Sequence, residues 1–379
     1  MATSMQASQS PAIGGGSMAA GGKGGRRKKT PGAKKIRLKE LPAFTRQMSA
    51  MISSGMPIVQ TLEALEAQTE NKSFKAVING VRLQIEGGAS MTEAMKRYPD
   101  IFLELYVSML EAGETGGLLA DTTERLAMYL EAQAKLRRKV ISAMMYPVIV
   151  TFVAVILTSS MIIWIVPAFA SIYEDFDAAL PGPTQFLVNV SDFVRAYAPF
   201  VFGGLVAAGI AFFQFKKTEQ GAMTMDRIAL KLPVFGPLLQ KVALSRFAST
   251  FAQMTRSGVP ILKALEITAV ATGNKVLGKT VLDSRAVVER GEPLSSGLVK
   301  DKHFTTMMIQ MLSAGEKTGK VDDMLEKIAE FYEDEVEATL SGLTSLIEPL
   351  LIVFLGVIIG GIVLCMFMPI FKMHELVAF

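Results

Sequence analysis

Three long runs without a charged side chain constrain this sequence more than any other feature. They lie between Lys139 and Glu174, between Arg195 and Lys216, and between Glu348 and Lys372. A helix needs about 20 apolar residues to cross a bilayer, whereas buried helices of soluble proteins usually have about ten to fourteen. Because half of the 379 residues are hydrophobic, we predict a membrane protein with three transmembrane helices.

Lys and Arg residues near the ends of these runs predict the orientation of the chain, because cationic loops remain in the cytosol. The cationic residues before the first run are Lys135, Arg137, Arg138 and Lys139, and acidic residues follow that run. Two lysines, at 216 and 217, follow the second run. We therefore expect a cytosolic amino terminus and a periplasmic carboxyl terminus. Since no signal peptide is recognisable, we expect insertion through the spans themselves.

An internal repeat covers most of the chain at an offset of 203 residues. The paired segments are 44–65 with 247–268, 84–91 with 287–294, and 109–118 with 311–321. The match extends into the membrane, where paired prolines bracket the first and third runs: Pro147, Pro167, Pro349 and Pro369. One repeated unit therefore contains a soluble domain and a transmembrane helix, and the unpaired second run returns the chain to the cytosol.

Each soluble copy has the sequence pattern of short helices. Apolar residues recur at three- and four-residue spacing, and a Gly-x-Pro turn in each copy, at 55–57 and 258–260, predicts a helix end followed closely by a helix start. The predicted fold class is all-α, a polytopic membrane protein with two tandem cytosolic helical bundles. Because the helical periodicity continues into the first and third spans, we expect the last bundle helix and the span to form one rigid helix in each copy.

These patterns divide the chain into eight segments. The first 40 residues carry nine cationic side chains and one acidic one, which favours a disordered tail that contacts anionic lipids or acidic partners, or only keeps the chain soluble. The predicted segments are a disordered basic tail at 1–37, cytosolic bundle 1 at 38–138, span 1 at 139–170, a periplasmic loop at 171–195, span 2 at 196–215, cytosolic bundle 2 at 216–345, span 3 at 346–371, and a periplasmic carboxyl terminus at 372–379.

Residues 273–280, GNKVLGKT, match the phosphate-binding pattern GxxxxGK[ST]. The equivalent residues of the first copy, 70–77, keep only Asn71 and Lys72, and the sequence shows no apolar strand ending in Asp that would help to hold Mg²⁺. We therefore interpret the segment as a helix–helix turn shared by both copies and predict no cofactor. A single cysteine and two histidines argue against a metal centre.

Two glutamates beside glycines are the strongest candidate site residues, because the chain presents them twice. The segments are Gly113-Glu114-Thr115-Gly116 and Gly315-Glu316-Lys317-Thr318-Gly319. Glycine permits a left-handed or tightly turned backbone. Each segment is therefore predicted to be a turn whose carboxylate either caps a helix locally or contacts a partner or a cation.

Two further patterns concern packing at the membrane. Small residues of the third span, Gly356, Gly360 and Gly361, predict close helix packing, either within the chain or between copies. Just before the spans the copies differ in charge: residues 135–139, the basic collar, precede the first span, and residues 333–337, the acidic collar, precede the third. The two collars either pair, within or between chains, or are two solvated faces.

The residues around the first span resemble the signature of the GspF/PilC family, the inner-membrane platform proteins of type II secretion and type IV pilus systems. The residues that carry the resemblance are Lys139, Val140, Tyr146, Pro147, Ala154, Ile165, Val166 and Pro167. The resemblance implies a non-enzymatic platform that couples a cytosolic hexameric assembly ATPase to pilin or pseudopilin subunits. It also implies other inner-membrane assembly components as partners and a homo-oligomer, with no nucleic acid as a partner.

A membrane transporter or channel component is the alternative function. Such proteins carry polar or broken helices at mid-membrane, whereas the three runs have no charged residue at mid-depth and the repeat is not inverted. A third alternative, an ATP-using membrane enzyme, depends on Gly278, Lys279 and Thr280.

We predict that Lys279→Ala leaves the binding of ATP to the purified chain unchanged, because the matched residues form a helix–helix turn and not a phosphate loop. Equilibrium dialysis with labelled ATP measures this. If the unchanged chain bound ATP and the variant did not, the interpretation as a turn would be wrong.

Overall fold

The computed structural model describes residues 30–174, 181–233 and 235–377. Within these ranges the chain forms α-helices and one short π-helical segment, Met161–Ile165, and no strand, which confirms the all-α class. The helices are α1 Ala33–Lys39, α2 Leu41–Ser53, α3 Ile58–Gln68, α4 Lys72–Glu86, α5 Met91–Lys96, α6 Glu104–Thr115, α7 Leu119–Ser160, α8 Val166–Glu174, α9 Gly182–Lys217, α10 Glu219–Lys231, α11 Phe235–Arg256, α12 Ile261–Ala271, α13 Lys275–Glu289, α14 Leu294–Leu298, α15 Thr306–Thr318 and α16 Val321–Val377.

The observed helices differ from two predicted segments, the basic tail at 1–37 and the periplasmic loop at 171–195. Most of the predicted tail, at 1–29, lies outside the described residues, but residues 33–37 belong to α1, where Ile36 is fully buried in the core. The prediction missed this helix because it weighed the cationic residues and not the single apolar anchor among them. The predicted loop at 171–195 is helical at 171–174 and again from Gly182, where Pro183 in the first turn favours a helix start.

The internal repeat reappears as a repeated order of helices, with α2 to α7 equivalent to α11 to α16. The helices α3 and α12 begin 203 residues apart, at Ile58 and Ile261, whereas α7 and α16 begin 202 residues apart, at Leu119 and Val321. The second copy therefore has one residue fewer, between α14 and α15. The turns are also repeated: Gly55 (φ 84°) and Gly258 (φ 76°) both take the left-handed backbone that closes a helical hairpin.

The segment that resembles a phosphate-binding loop is a helix–helix turn, as predicted. It follows the helix α12, and Asn274 caps α13 by accepting hydrogen bonds from the backbone N–H groups of residues 276 and 277. Asn71 caps α4 in the same way in the first copy. Gly278 lies inside α13, where an added Cβ would stand 2.4 Å from the carbonyl oxygen of Ala269. This glycine therefore serves the close packing of α12 against α13.

The two bundles share one continuous hydrophobic core. Its aromatic contacts are repeated, since Phe44 packs on Phe102 with ring centroids 6.5 Å apart and Phe247 packs on Phe304 at 5.6 Å. Between the bundles, the buried hydroxyls of Tyr129 on α7 and Thr250 on α11 are hydrogen-bonded at 2.9 Å. The bundles are therefore joined through packed side chains and not only through the chain that links them.

The helices α7 and α16 run without a break from the bundles into the predicted spans. α7 has 42 residues, with Pro147 inside it, and α16 has 57 residues. The π-helical segment and α8 extend the first of these to Glu174. The expectation that each last bundle helix is continuous with its span is confirmed.

Two apolar clusters hold these long helices together on either side of the exposed middle of the spans. The collar cluster joins α7, α11 and α16 and consists of Leu136, Leu238, Val336, Leu340 and Leu343. The distal cluster joins α8 and α16, with partly buried residues of α9 packed against it, and consists of Val166, Ile362 and Met366. The first long helix, with its extension α8, and α16 are therefore in contact at two levels.

Two helical stretches are by themselves long and apolar enough to cross a membrane, Leu119–Ser171 and Val321–Met368. The first stretch contains the predicted first span, 139–170, and the second contains most of the predicted third span, 346–371. A bent pair formed by α10 and α11, which meet at 116°, also meets the same length and composition limits. However, Phe247 and Phe251 of α11 are fully buried in the bundle core. The second span, predicted at 196–215, lies within the 36 residues of α9 and stays a prediction.

We predict that Thr250→Val destabilises the chain by about 1–3 kcal/mol, because it leaves the buried Tyr129 hydroxyl without a partner. Adding Tyr129→Phe removes that hydroxyl and restores most of the stability. Thermal unfolding of the four proteins in detergent measures the coupling of the two changes. Strictly additive losses would show that the contact between the bundles carries no coupling energy.

Candidate functional site

The carboxylate of Glu114 ties the end of α6 to the start of α5. It accepts hydrogen bonds from the backbone N–H of Met91 at 2.8 Å and from that of Thr92 at 3.1 Å. These N–H groups are free because the first turn of a helix offers them no intrahelical acceptor, and the helix dipole favours a negative charge there. Glu114 therefore caps a helix 22 residues earlier in the chain and not the helix that follows it.

Glu316 makes the equivalent contact in the second copy. Its carboxylate accepts hydrogen bonds from the backbone N–H of Leu294 at 2.5 Å and from the hydroxyl of Ser295 at 2.6 Å, at the start of α14. Leu294 follows Met91 by the offset of 203, and Glu316 follows Glu114 by 202, in line with the shorter second copy. Both copies therefore fasten the same two helices with the same side chain.

Hydrogen bonds outweigh burial in setting the pKa of Glu114. Burial alone would raise this pKa, but the hydrogen bonds from the backbone N–H groups of Met91 and Thr92, together with the nearby polar side chains of Thr92 and Ser90, hold it below its ordinary value. The folded state therefore favours the carboxylate. Its contribution to stability is present above the ordinary pKa and is lost as the pH falls through the lowered value.

The glycines beside these glutamates do not all have the predicted role. Gly113 and Gly315 were predicted to lie in turns, but both are helical residues that let neighbouring helices approach. An added Cβ at Gly113 would stand 2.4 Å from the Thr122 hydroxyl of α7. Gly116 has an ordinary φ of −83°. The left-handed residues are Gly117 (φ 67°) and Gly319 (φ 71°), a pairing that an alignment with the correct offset of 202 would have revealed.

The two collars pair within the chain. Lys139 of α7 forms an ion pair with Glu337 of α16, and Lys241 of α11 forms one with Glu335 of α16 at 2.6 Å. Burial raises the pKa of Glu333, although Lys135 and Lys139 lie close enough to oppose the rise. The collars therefore enclose the collar cluster with charged side chains at the point where α7 and α16 leave the bundles.

The other residues of the predicted signature are spread along the spans. Pro147 and Ala154 are buried on α7, and Tyr146 is exposed. Pro167 is the second residue of α8, and Pro349 and Pro369 lie within α16. The signature residues therefore do not form one site. Among the described residues, nothing lies within 4 Å of a Cβ added at Gly356, Gly360 or Gly361, so this stripe does not pack within the described chain.

Polar contacts made by α9 were missed by the sequence analysis. Ser191 donates to the carbonyl oxygen of Ile162 at 2.6 Å, and Arg195 donates to that of Ile163. Both acceptors lie in the π-helical segment, whose altered backbone frees carbonyl groups. Thr184 donates to the carbonyl oxygen of Cys365 on α16. The signal in the sequence is the spacing of these three residues, seven and then four apart, on one face of α9.

Within the described residues, no three side chains of His, Cys, Asp or Glu form a group that could hold a metal ion. The site is therefore a set of helix contacts: two glutamate caps, two paired collars and a polar seam between spans. Its chemistry fixes the relative positions of helices.

Comparison with known proteins gives consistent matches. The sequence model of the family described as "Type II secretion system (T2SS), protein F" matches residues 44–167 and 247–369, once in each copy of the repeat. The chain is 42% identical over 343 residues to a "Type IV pilus assembly protein PilC" of Myxococcus xanthus, covering 90% of this chain and 82% of that one. It is 43% identical over 336 residues to the protein of the same name from Thermus thermophilus, covering 88% and 82%. It is 30% identical over 345 residues to a "Type II secretion system protein F" of Pseudomonas aeruginosa, covering 91% and 85%.

We predict that Glu114→Gln destabilises the chain by about 1.5–3 kcal/mol, the usual contribution of hydrogen bonds to a charged group. The loss is greatest above about pH 4.3, the ordinary pKa of Glu, and shrinks at lower pH because the unchanged protein then loses the same carboxylate. Thermal unfolding between pH 3 and pH 7 measures both effects. Glu63→Gln, a change at an exposed glutamate of α3, is the matched control. Equal effects of the two changes would contradict the role of Glu114 as a cap.

Proposed function

Because the chain belongs to the type II secretion system protein F family, we propose that it is a non-enzymatic platform of the bacterial inner membrane on which type IV filaments are assembled. The filament is a type IV pilus or a type II secretion pseudopilus. Of the relatives compared above, the two pilus assembly proteins share 42% and 43% of aligned residues with this chain and the secretion protein shares 30%, which favours a pilus.

The proposed role is mechanical. A cytosolic hexameric ATPase moves the bundles, and the spans pass that movement to pilin or pseudopilin subunits that are inserted into or extracted from the filament base. The observation that carries the proposal is the continuity of α7 and α16 from bundle to span, reinforced by the collar cluster and the ion pair of Lys139 with Glu337. Rigid helices held at two levels suit the transmission of force.

The arrangement in the membrane follows the charge distribution. We propose that the amino terminus and both bundles are cytosolic and that the carboxyl terminus is periplasmic, because the basic collar lies at the start of the first span. The stripe of Gly356, Gly360 and Gly361 would then be available to a second copy of the chain or to another inner-membrane assembly component.

Two single variants and their double exchange test the mechanical role. Lys139→Glu alone, or Glu337→Lys alone, places like charges at the collar and should reduce the number of assembled filaments. The double exchange restores the pair and should restore the filaments. The matched control exchanges Lys327 and Glu330, an exposed pair within α16 at 2.8 Å, and should have no effect, since this pair joins no second helix.

Co-purification of the assembly ATPase distinguishes a defect in force transmission from a defect in ATPase binding. The ATPase should remain bound to both single variants and should be lost when residues 220–340 are deleted. Full filament assembly by both single variants would contradict a coupling role for the collar. Failure of the intact chain to retain any ATPase would contradict the proposed partner.

A further inference from the structure

A cavity of about 250 Å³ lies between the two bundles close to the membrane side. Three arginines line it: Arg37 of α1, Arg137 of α7 and Arg246 of α11. Its other walls are mainly apolar, with Leu41 and Leu130 among them. Three cationic groups around a small, largely apolar space form an arrangement that binds an anion.

Arg246 has no counter-charge within the described chain. Its Nε is fully buried and has no hydrogen-bond acceptor among the described residues, and the same holds for the amide nitrogen of Gln133 in the same cavity. Burial lowers the pKa of Arg246, Tyr129 opposes that change, and Arg137 adds a smaller lowering. A buried arginine that faces a second arginine is costly unless an anion binds it.

The residues outside the described ranges do not offer that anion. Residues 1–29 contain no Asp or Glu. The acidic residues of 175–180 follow the first span, and Glu174 lies 37 helical residues beyond Arg137, a separation of about 55 Å at 1.5 Å per residue. An anion that neutralises Arg246 would therefore come from outside the described residues.

The repeat shows that the fold does not require an arginine at this position. Ala43 occupies the equivalent place in the first copy, where the same helices pack without it. Gly273, which faces the Arg246 side chain, is Glu70 in the first copy. A Cβ at Gly273 would stand 2.6 Å from Nη1 of Arg246. The second copy thus combines an arginine with the glycine that leaves room for it.

The position of the cavity identifies the anion. Arg137 lies three residues before Val140, where the uncharged run begins, so it stands about 5 Å along the helix from the hydrocarbon edge, within the headgroup layer. The cytoplasmic leaflet is rich in anionic lipids. We infer that Arg37, Arg137 and Arg246 bind the phosphate of an anionic phospholipid, whose glycerol and first acyl carbons lie against the apolar walls. The lipid then bridges the two bundles at the membrane surface.

Thermal unfolding of the full chain in dodecyl maltoside micelles tests this inference without any partner protein. Phosphatidylglycerol should raise the unfolding temperature, whereas phosphatidylcholine, inorganic phosphate and glycerol 3-phosphate should raise it much less. Arg246→Gln should weaken the response to phosphatidylglycerol by about tenfold in concentration, as expected for the loss of one charged hydrogen bond. Arg290→Gln, at an exposed arginine of the second bundle, is the matched control and should respond as the unchanged chain does.

The unfolding temperature of Arg246→Gln without lipid distinguishes a loss of lipid binding from a loss of folding stability. Without lipid, Arg246→Gln should unfold at the same temperature as the unchanged chain or higher, because an unpaired buried charge has been removed. Equal responses to phosphatidylglycerol and phosphatidylcholine, or an unaltered response of Arg246→Gln, would overturn the inference. If inorganic phosphate matched phosphatidylglycerol, the anion would be a soluble phosphate and the assignment to lipid would be wrong.

Discussion

The packing of α7 against α16 at the collar is the contact on which the rest of the structure depends. Both helices leave their bundles at this level, and Leu136 meets Val336 and Leu340 in one apolar cluster. Burial of such side chains contributes about 1.5–3 kcal/mol each, far more than the exposed ion pair of Lys139 with Glu337 beside them. The cluster supplies the stability, and the charged pair selects which faces of the helices meet.

Duplication of one unit explains why the two copies are alike and where they differ. Glu114 and Glu316 fasten equivalent helices because each copy needs the same internal closure. Residues at the contact between the two copies do not take part in this internal closure and can therefore differ. Arg246 replaces Ala43, and the acidic collar replaces the basic one. Two of the differences therefore lie at the junction of the bundles and at the membrane surface.

The sequence predicted the parts of the fold that follow from local patterns. Uncharged runs, helical periodicity and turns such as those at Gly55 and Gly258 depend on few residues and are readable without coordinates. Contacts that depend on distant residues were not readable. That Glu114 caps α5 requires the closure of a 22-residue loop, and the bond of Ser191 to the π-helical segment requires two helices to meet in the membrane.

The wrong predictions at the candidate site also arise because contacts between distant residues decide the role of a residue. A glycine in a sequence is compatible with a left-handed turn and with close helix packing, and only the neighbouring helix decides between them. Gly113 faces Thr122 and serves packing, whereas Gly117 is left-handed. The arginine cavity was also invisible, because its three cationic residues come from α1, α7 and α11, which are far apart in the chain.

In the proposed mechanism, force passes from bundle to span through an unbroken α7. Replacing Ser142 and Ala143, which lie at the start of the first span beside the collar cluster, by a Gly-Gly pair would soften this helix there, since each glycine costs a helix about 1 kcal/mol. The same pair in place of Lys75 and Ala76, exposed residues of α4, is the control. Filament counts on cells that carry each variant are the decisive measurement. We expect filaments to be lost with glycines at 142–143 and kept with glycines at 75–76. Normal filament numbers with glycines at 142–143 would contradict the transmission of force through α7.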